Sequence, residues 1–383
     1  MVASIRQGAS IRAVARRFAV SLDTVHRWIR RAGGERLDRV DWSDRSHAPH
    51  RPRRTPVEVE DRVLSLRREL QQDSDLGEYG AVAIRREMEH RELTPIPSLA
   101  TINRILERRG ALDGRKRVRR APPPRGWYLP EVAAGRAELD SFDIIEDLAL
   151  QGGIHVDVLN AVSLHGGLVG SWPQSHCYAR TVVSCLIGHW RDVGLPGFAQ
   201  FDNDTRFQGP HNRPGVIGRV ARLCLQLGVV PVFVPPQETG FQASIESFNG
   251  RWQLKVWRRF HHESLEAVQR QSAKYVAAYR QRLQPRIDAA PARTAFPVRS
   301  RLDLQRKLSG RIVFLRRTNE RGRIRVLART FDVDPHWAHR LVRAELHLDS
   351  GLMRVFALRR REPKQQPLLS ELVYEIPNRT FLE

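Results

Sequence analysis

Between residues 138 and 260 the hydrophobic periodicity changes from a two-residue to a helical repeat in a fixed order, which constrains the fold more than any other feature. Short apolar or alternating runs predict five strands, at 139–145, 154–160, 167–172, 198–201 and 229–234. Helical patterns predict three helices, at 176–193, 216–227 and about 242–260. The resulting order, β-β-β-α-β-α-β-α, is typical of an α/β domain.

Three carboxylates occupy positions that this element order can bring together. Asp140 lies on the first predicted strand, Asp202 ends the fourth, and Glu246 enters the last helix. Neighbouring strand ends and a helix start can converge on one point, and three carboxylates there suit the oxygen-preferring ions Mg²⁺ or Mn²⁺. Two such ions could clamp the attacking and leaving oxygens of a phosphoryl transfer. Asp143 is an alternative first ligand, although alternation along a strand should aim it and Asp140 at opposite faces.

The net charge of +22 predicts a polyanionic partner, for which nucleic acid is the usual candidate. The excess is not uniform along the chain. Residues 1–126 carry 28 basic and 17 acidic side chains, and residues 263–383 carry 25 and 13, whereas residues 127–262 carry 11 and 12. Two basic arms around a near-neutral middle favour phosphate binding by the arms and carboxylate chemistry in the middle. A generally arginine-rich sequence would have spread the excess evenly.

Residues 1–37 are predicted to form a helix-turn-helix DNA-binding domain. Ser21 is a suitable N-cap for its second helix, which places Val25 and Ile29 on an apolar face. The opposite face, suited to a major groove, carries Thr24, His26, Arg27, Arg30 and Arg31. An ordinary helical hairpin is the alternative.

Three more helical patterns, at 57–71, 80–91 and 98–109, predict a second helix-turn-helix domain over residues 55–112. A cationic connector at 113–130 then joins it to the α/β domain, predicted over 131–284. The Pro-, Ala- and Arg-rich segment 285–301 reads as an extended linker. Beyond it, short alternating runs with glycines at their turns predict a small β-barrel over 305–362 with a basic surface.

Two sequence segments resemble motifs of a known family. Gln200-Phe-Asp-Asn-Asp-Thr-Arg-Phe207 and Pro235-Pro-Gln-Glu-Thr-Gly-Phe-Gln-Ala-Ser-Ile-Glu246 resemble the second and third acidic motifs of the DDE transposase and integrase core. The segment Gly8–Ser21 is similar to the start of insertion-sequence transposases, and the C-terminal runs resemble the small barrel of Mu-like transposases and retroviral integrases. The spacing of 44 between Asp202 and Glu246 is longer than usual, and no His/Cys zinc finger precedes the core.

The resemblance implies a multidomain protein with a ribonuclease H-like core in which Asp140, Asp202 and Glu246 are catalytic metal ligands. Asp140 is preferred over Asp143 because its Glu-Leu-Asp context resembles the family's first motif. The implied cofactor is Mg²⁺, replaceable by Mn²⁺, with two ions per site. The implied reaction is metal-dependent cleavage of the ends of a mobile element and their transfer into target DNA, by a protein that forms a homo-oligomer on duplex DNA.

The last helix of the core supplies four further candidate DNA contacts. Asn249 and Gln253 follow Glu246 by three and seven residues on one face, while Arg251 and Lys255 are candidates for phosphate contacts. An inactive DNA-binding regulator and a nuclease-like domain acting on RNA are the alternative functions. The three cysteines, Cys177, Cys185 and Cys224, form no CxxC pair, and no run has the length of a membrane span. A cytoplasmic, nucleoid-associated bacterial protein is therefore expected.

Overall fold

The computed structural model describes residues 1–43, 55–112, 125–150, 152–238, 240–298, 301–375 and 381. The chain divides into two compact units, Met1–Glu60 and Asp61–Glu383. Most of the predicted cationic connector, residues 113–124, lies outside the described residues. No helix in the described parts of the chain is long and apolar enough to cross a membrane.

The first unit contains three short helices, α1 (Val2–Arg6), α2 (Ile11–Arg17) and α3 (Leu22–Ala32). The side chains of Ser10 and Ser21 cap α2 and α3 by accepting hydrogen bonds from the Ala13 and Thr24 amides. Val25 of α3 is fully buried against Val14 and Ala15 of α2. The predicted helix-turn-helix is present.

A second helical module follows, built from α4 (Val57–Asp73), α5 (Ala81–His90) and α6 (Leu99–Arg108). Ser98 caps α6 as its sequence indicates. Ile84 and Met88 of α5 and Ile102 and Ile105 of α6 are completely buried in a separate small core. The three helical patterns of this segment are therefore confirmed to within two residues at each end.

The α/β region begins with one helical turn, α7 (Pro130–Ala133). Three antiparallel strands follow, which are β1 (Leu139–Ala149), β2 (His155–Ser163) and β3 (Val169–Gln174). Helices and parallel strands then alternate, in the order α8 (Ala179–Val193), β4 (Phe198–Phe201), α9 (Thr205–Gln208), α10 (Arg219–Gln226), β5 (Val230–Phe233) and α11 (Ala243–Trp252). A π-helical turn (Gln253–Trp257) extends α11, and α12 (Leu265–Asp288) ends the region. The predicted element order is confirmed, apart from the short α9.

Six strands follow in the described C-terminal part, which are β6 (Arg311–Arg317), β7 (Arg323–Val326), β8 (Arg329–Asp332), β9 (Leu341–His347), β10 (Leu352–Ala357) and β11 (Leu368–Val373). A short 3₁₀ turn at Pro335–Trp337 separates the hairpin from β9.

The predicted C-terminal barrel is not found, because these strands extend the sheet of the α/β region. One nine-stranded sheet runs in the order β11-β10-β9-β6-β5-β4-β1-β2-β3, and the β7–β8 hairpin stands apart from it. The junction is a parallel pairing of Val232 and Phe233 in β5 with Val313 and Phe314 in β6. Strand β6 is apolar on both faces and buried over five consecutive residues, so it requires neighbours on both sides and cannot serve as the outer wall of a separate barrel.

Helices cover the two faces of the sheet around β1. Phe142 of β1 packs with Val182, Leu186 and Trp190 of α8 in one core. Ile145 packs on the opposite face with Ile245 and Phe248 of α11 and with side chains of α12. Side chains along β1 therefore point alternately toward α8 and toward α11.

Candidate active site at the ends of β1 and β4

Asp140 faces α8 and is the most enclosed carboxylate of β1, with 1% of its surface exposed. Its Oδ1 and Oδ2 accept hydrogen bonds from the Arg293 guanidinium at 2.5 and 3.0 Å, and Oδ2 also accepts one from Nε1 of Trp190 at 3.2 Å. Nε2 of His189 lies 4.0 Å from Oδ2. Asp140 thus neutralises a buried arginine, which ties the segment after α12 to the sheet.

That segment is the predicted linker 285–301, and its first half is part of the folded domain. Helix α12 continues to Asp288, and Thr294 exchanges backbone hydrogen bonds with Leu195. The ion pair of Arg293 with Asp140 explains why a proline- and arginine-rich stretch is fixed here.

Asp143 lies on the opposite face of β1, toward α11. Its Oδ2 accepts a hydrogen bond of 2.7 Å from the side-chain amide of Asn249, whose Oδ1 in turn accepts one of 2.8 Å from Asn160 on β2. Burial, with the nearby carboxylates of Asp202 and Glu246, raises the pKa of Asp143 to about 6. The structure therefore brings Asp143, rather than Asp140, to the carboxylates of the other two acidic motifs.

Asp202 follows the last residue of β4, the strand that pairs in parallel with β1 at Asp140 and Ala199. Its Oδ1 accepts the Asp204 amide at 3.0 Å, and burial raises its pKa. Asp204 forms an ion pair with Arg206, which also contacts Glu146 of β1. Unlike Asp204, Asp202 forms no direct ion pair with an arginine among the described residues, although the charge of Arg206 acts to lower its pKa.

Glu246 is exposed in the first turn of α11, where the helix dipole favours a negative charge. Asn249, one turn later, is 9% exposed. Its side-chain amide donates to Asp143 and its Oδ1 accepts from Asn160. It therefore orients a carboxylate and is not available as the DNA contact expected from the sequence. Asn160 has no sequence signal of its own, because it lies within an apolar strand.

The donor set fits a hard divalent cation, since Asp143, Asp202 and Glu246 offer only carboxylate oxygens. Within the described ranges, no three His, Cys, Asp or Glu side chains stand close enough together to hold a metal ion as they are. Carboxylates that repel one another are expected to stand apart until a cation neutralises them. The long spacing between Asp202 and Glu246 is accommodated by a closed loop, in which Gly218 donates to the Gln208 carbonyl at 2.9 Å.

Three other residues of the α11 region were predicted to contact DNA. Lys255 donates to the Gly77 carbonyl at 2.8 Å and lies over the Tyr79 ring, so it binds the second helical module instead of being free. Arg251 hydrogen bonds to the Tyr279 hydroxyl at 2.5 Å and is otherwise exposed. Gln253 is half-buried in the π-helical turn.

The candidate recognition helix α3 presents part of the predicted set to solvent. His26, Arg27 and Arg30 are exposed, whereas Thr24 is half-buried and its hydroxyl contacts that of Ser21 at 2.9 Å. Arg31 stacks over Trp28 and donates to the Asp41 carbonyl at 2.9 Å, so its guanidinium supports the fold of the unit.

The sequence patterns do not predict the buried arginine that lies near Asp202. Arg316 of β6 is 6% exposed, and its guanidinium donates to the carbonyls of Phe233 and Val234 and to Oδ1 of Asn203. Burial lowers its pKa to about 9. Its run, Arg311–Arg317, indicates a strand, but nothing in that run indicates that Arg316 points inward.

Known proteins resemble this chain in two respects, through one family model and through several solved structures. A family model for a homeodomain-like domain matches residues 1–39. A comparison with curated proteins finds no match. Among solved structures, the catalytic core domain of BIV integrase is similar at 17% identity and a TM-score of 0.27, over 37% of this chain and 81% of that one.

Two further solved structures are similar at 12% identity. One is a chain of the simian T-cell lymphotropic virus intasome in complex with PP2A regulatory subunit B56 gamma, with a TM-score of 0.34 over 78% of this chain and 96% of that one. The other is the HTLV-2 integrase catalytic core domain in complex with magnesium, with a TM-score of 0.27 over 40% and 86%. Residues 1–39 therefore match the homeodomain-like family model, and the chain is similar to these integrase structures at 12–17% identity.

Proposed function

We propose that this protein is a metal-dependent polynucleotidyl transferase that cuts the ends of a mobile DNA element and joins them to target DNA. The observation that carries the proposal is the placement of Asp143 on the face of β1 toward α11, where burial and the carboxylates of Asp202 after β4 and Glu246 of α11 raise its pKa. Asp143 replaces Asp140 in the ligand set, because Asp140 is already neutralised by Arg293 on the other face of the sheet.

In this proposal Asp143, Asp202 and Glu246 hold Mg²⁺ or Mn²⁺. Two such ions would activate the attacking oxygen and stabilise the leaving oxygen at the scissile phosphate. Asn249 fixes the Asp143 carboxylate through its 2.7 Å hydrogen bond, so that this ligand is oriented before the cation arrives. In this proposal one metal site would serve both cutting and joining.

Substrate binding in the proposal starts with the homeodomain-like segment, whose exposed His26, Arg27 and Arg30 would contact DNA. The net charge of +22 favours the phosphate backbone over any neutral ligand. Because each element has two ends, joining both requires two active sites, and we propose a homo-oligomer assembled on DNA.

The test is metal-dependent nicking of a supercoiled plasmid by the purified full-length protein. We expect nicking with Mn²⁺ or Mg²⁺, none in a chelator, and a fall to background in Asp143→Asn and Asp202→Asn. Asp147→Asn is the matched control, because Asp147 lies on the same strand with an exposed side chain paired to His155. It should nick like the wild type.

Two results would contradict the proposal at different levels. A folded wild-type protein that binds DNA but never nicks it with either metal would favour a DNA-binding regulator. Full activity in Asp143→Asn, together with loss of activity in a folded Asp140→Asn, would return the first ligand position to Asp140.

A further inference from the structure

A cavity of about 320 Å³ lies beside the start of α11, on the face of the sheet that α11 and α12 cover. Its walls come from residues 125–128, from β1 and β2, and from α11 and α12. We call it the α11–α12 cavity. None of the proposed metal ligands lines it, and its volume is that of a pocket for one small ligand.

The charge of the α11–α12 cavity is positive. The described residues that line it include Arg125, Arg251 and Arg286 and no carboxylate. Burial, followed by the nearby charge of Arg125, lowers the pKa of Arg286. The carboxylate of Glu138 acts on Arg286 in the opposite direction, but it is 1% exposed and already accepts three backbone amides at 2.8–3.0 Å. An anion in the cavity would therefore relieve a repulsion between arginines.

Arg286 is fixed by the backbone with part of its guanidinium unused. Its Nε and Nη2 donate to the carbonyls of His165 and Leu164 at 2.5 and 2.8 Å, whereas its Nη1 has no acceptor among the described residues. Gly167 leaves room for this nitrogen, because a Cβ at that position would lie 3.0 Å from Nη1. The guanidinium is thus held in place and can still donate to a ligand.

Two buried hydroxyls in the lining carry protons that no described residue accepts. Ser141 is 3% exposed, and its Oγ accepts a hydrogen bond of 3.3 Å from Gln200. Tyr279 is 8% exposed, and its hydroxyl accepts one of 2.5 Å from Arg251. A hydroxyl that accepts in this way still has its own O–H to donate. Since buried donors are normally paired, these two predict a ligand rich in acceptor oxygens.

The remaining walls combine a helix start with aromatic rings. Helix α11 has no side-chain cap, and its first residues, Ala243 and Ser244, line the cavity. The unpaired amides and the dipole of a helix start favour an anion. Trp127 and Phe241, whose ring centroids are 6.1 Å apart, form an apolar wall that suits an organic group.

We propose that the α11–α12 cavity binds a small phosphate monoester, with its phosphate between Arg125 and Arg286 and its organic part against Trp127 and Phe241. The site needs neither a metal ion nor DNA, so the inference is independent of the proposed function. An internal phosphate of DNA continues into a strand on both sides, whereas a pocket of this volume between packed elements admits a terminal group. An occupant would tie α11, which carries Glu246, to α12.

The experiment is isothermal titration calorimetry of the full-length protein with glycerol 3-phosphate, in a chelator and without DNA. Wild-type protein should bind one molecule per chain, and glycerol should not bind. Arg125→Ala should weaken binding by about tenfold, the value of one charge-assisted hydrogen bond. Tyr279→Phe, which removes one hydroxyl donor, should weaken it by about fivefold. Arg136→Ala is the matched control, because Arg136 is an exposed arginine outside the cavity.

The possible results separate this inference from its competitors. Equal affinity in Arg125→Ala and Arg136→Ala overturns it and assigns the binding to general attraction of anions by the net charge of +22. Absence of binding by the wild type also overturns it. In that case, a preference for duplex DNA with a 5′-phosphate over the same duplex with a 5′-hydroxyl, lost in Arg125→Ala, would assign the cavity to a DNA end.

Neither plasmid nicking nor its absence enters this comparison, so the inference can fail while the proposed function stands, and the reverse. Selective weakening in Arg125→Ala supports the cavity site even if the protein never nicks DNA. Arg125 is exposed, so its variant is expected to fold whether or not Tyr279→Phe does.

Discussion

Asp140 and Asp143 stand three residues apart on one strand, yet their surroundings give them opposite roles. Asp140 is enclosed by Arg293, Trp190 and His189, so its charge stabilises the fold. Asp143 is held by an amide and lies beside other carboxylates, so its charge is available to a cation. Alternation along β1 predicts that only one of them faces the site. Which one it is depends on the face of β1 against which α11 packs, and α11 lies about 100 residues later in the sequence.

Removing the Asp140 charge should destabilise the protein more than removing that of Asp147. Asp140→Asn leaves Arg293 buried without its counter-ion, and we expect a loss of about 3–5 kcal/mol in the free energy of unfolding. Asp147→Asn, on the exposed part of the same strand, should change it by less than about 1 kcal/mol. Urea denaturation monitored by tryptophan fluorescence measures both. Equal stability of Asp140→Asn and wild type would mean that the ion pair contributes nothing.

His189 should make the fold sensitive to acid. Burial lowers its pKa from 6.5 to about 4, and its Nδ1 has no partner among the described residues. Its contribution to stability is therefore complete above pH 6.5 and is lost as the pH falls toward 4, because the unfolded chain takes up the proton first. His189→Gln should flatten that part of a stability-against-pH curve, by at most about 3 kcal/mol. A curve of the same slope in the variant would assign the acid sensitivity to other groups.

At the scale of elements, basic side chains of the π-helical turn region attach the second helical module to the α/β domain. Lys255 donates to the Gly77 carbonyl, and Arg259 donates to the carbonyls of Ser74 and Gln72. The sequence presents these residues as a basic helix face and cannot distinguish a phosphate from a carbonyl as the acceptor. The contacts make the loop between α4 and α5 part of the domain surface.

The double variant Lys255→Ala/Arg259→Ala should loosen that loop. We expect faster amide hydrogen exchange over residues 71–79, with unchanged protection in β1 and β4, because only the loop loses its partners. Arg258→Ala supplies the control, since Arg258 is exposed and lies between the two in sequence. Unchanged exchange in the double variant would show that apolar packing alone holds the module.

Helix α3 should supply part of the salt dependence of DNA binding. Replacing Arg27 and Arg30 with Ala should lower the slope of log affinity against log salt by about 2, the number of phosphate contacts removed. Arg36→Ala is the matched control, because Arg36 is exposed and paired with Asp38 outside the helix. A slope unchanged in the double variant would mean that α3 does not face the DNA backbone.

The elements that sequence patterns identified correctly share a strong local signal. Strands β4 and β5 are apolar runs between clear helix signals, and Ser10, Ser21 and Ser98 are local caps. Strands β8 and β11 have a weak local signal, because neither contains a buried side chain. The predicted barrel assembled correctly located strands in the wrong way, since the pairing of β5 with β6 joins residues 81 positions apart, which no local sequence pattern can indicate.

For the whole molecule, the continuous sheet predicts that the C-terminal strands cannot be removed as a module. A chain ending at residue 298 would expose β5 as an edge, with Val232 and Phe233 left unpaired. We expect this fragment to aggregate or to lose cooperative unfolding, whereas removal of residues 1–43 should leave the second unit folded. Size-exclusion chromatography and circular dichroism decide the matter. A soluble, fully folded chain ending at residue 298 would show that β6 is dispensable.

The position of β6 also sets a delay during protein synthesis. Val313 leaves the ribosome 81 residues after its partner Val232, which corresponds to roughly 4–16 s at the usual rates of elongation. Throughout that interval the nascent chain carries β5 with one side open, beside the strand that leads to Asp202. The sheet beside the proposed site is completed only after β6 has been synthesised, so a product terminated before Arg311 is expected to lack a finished site.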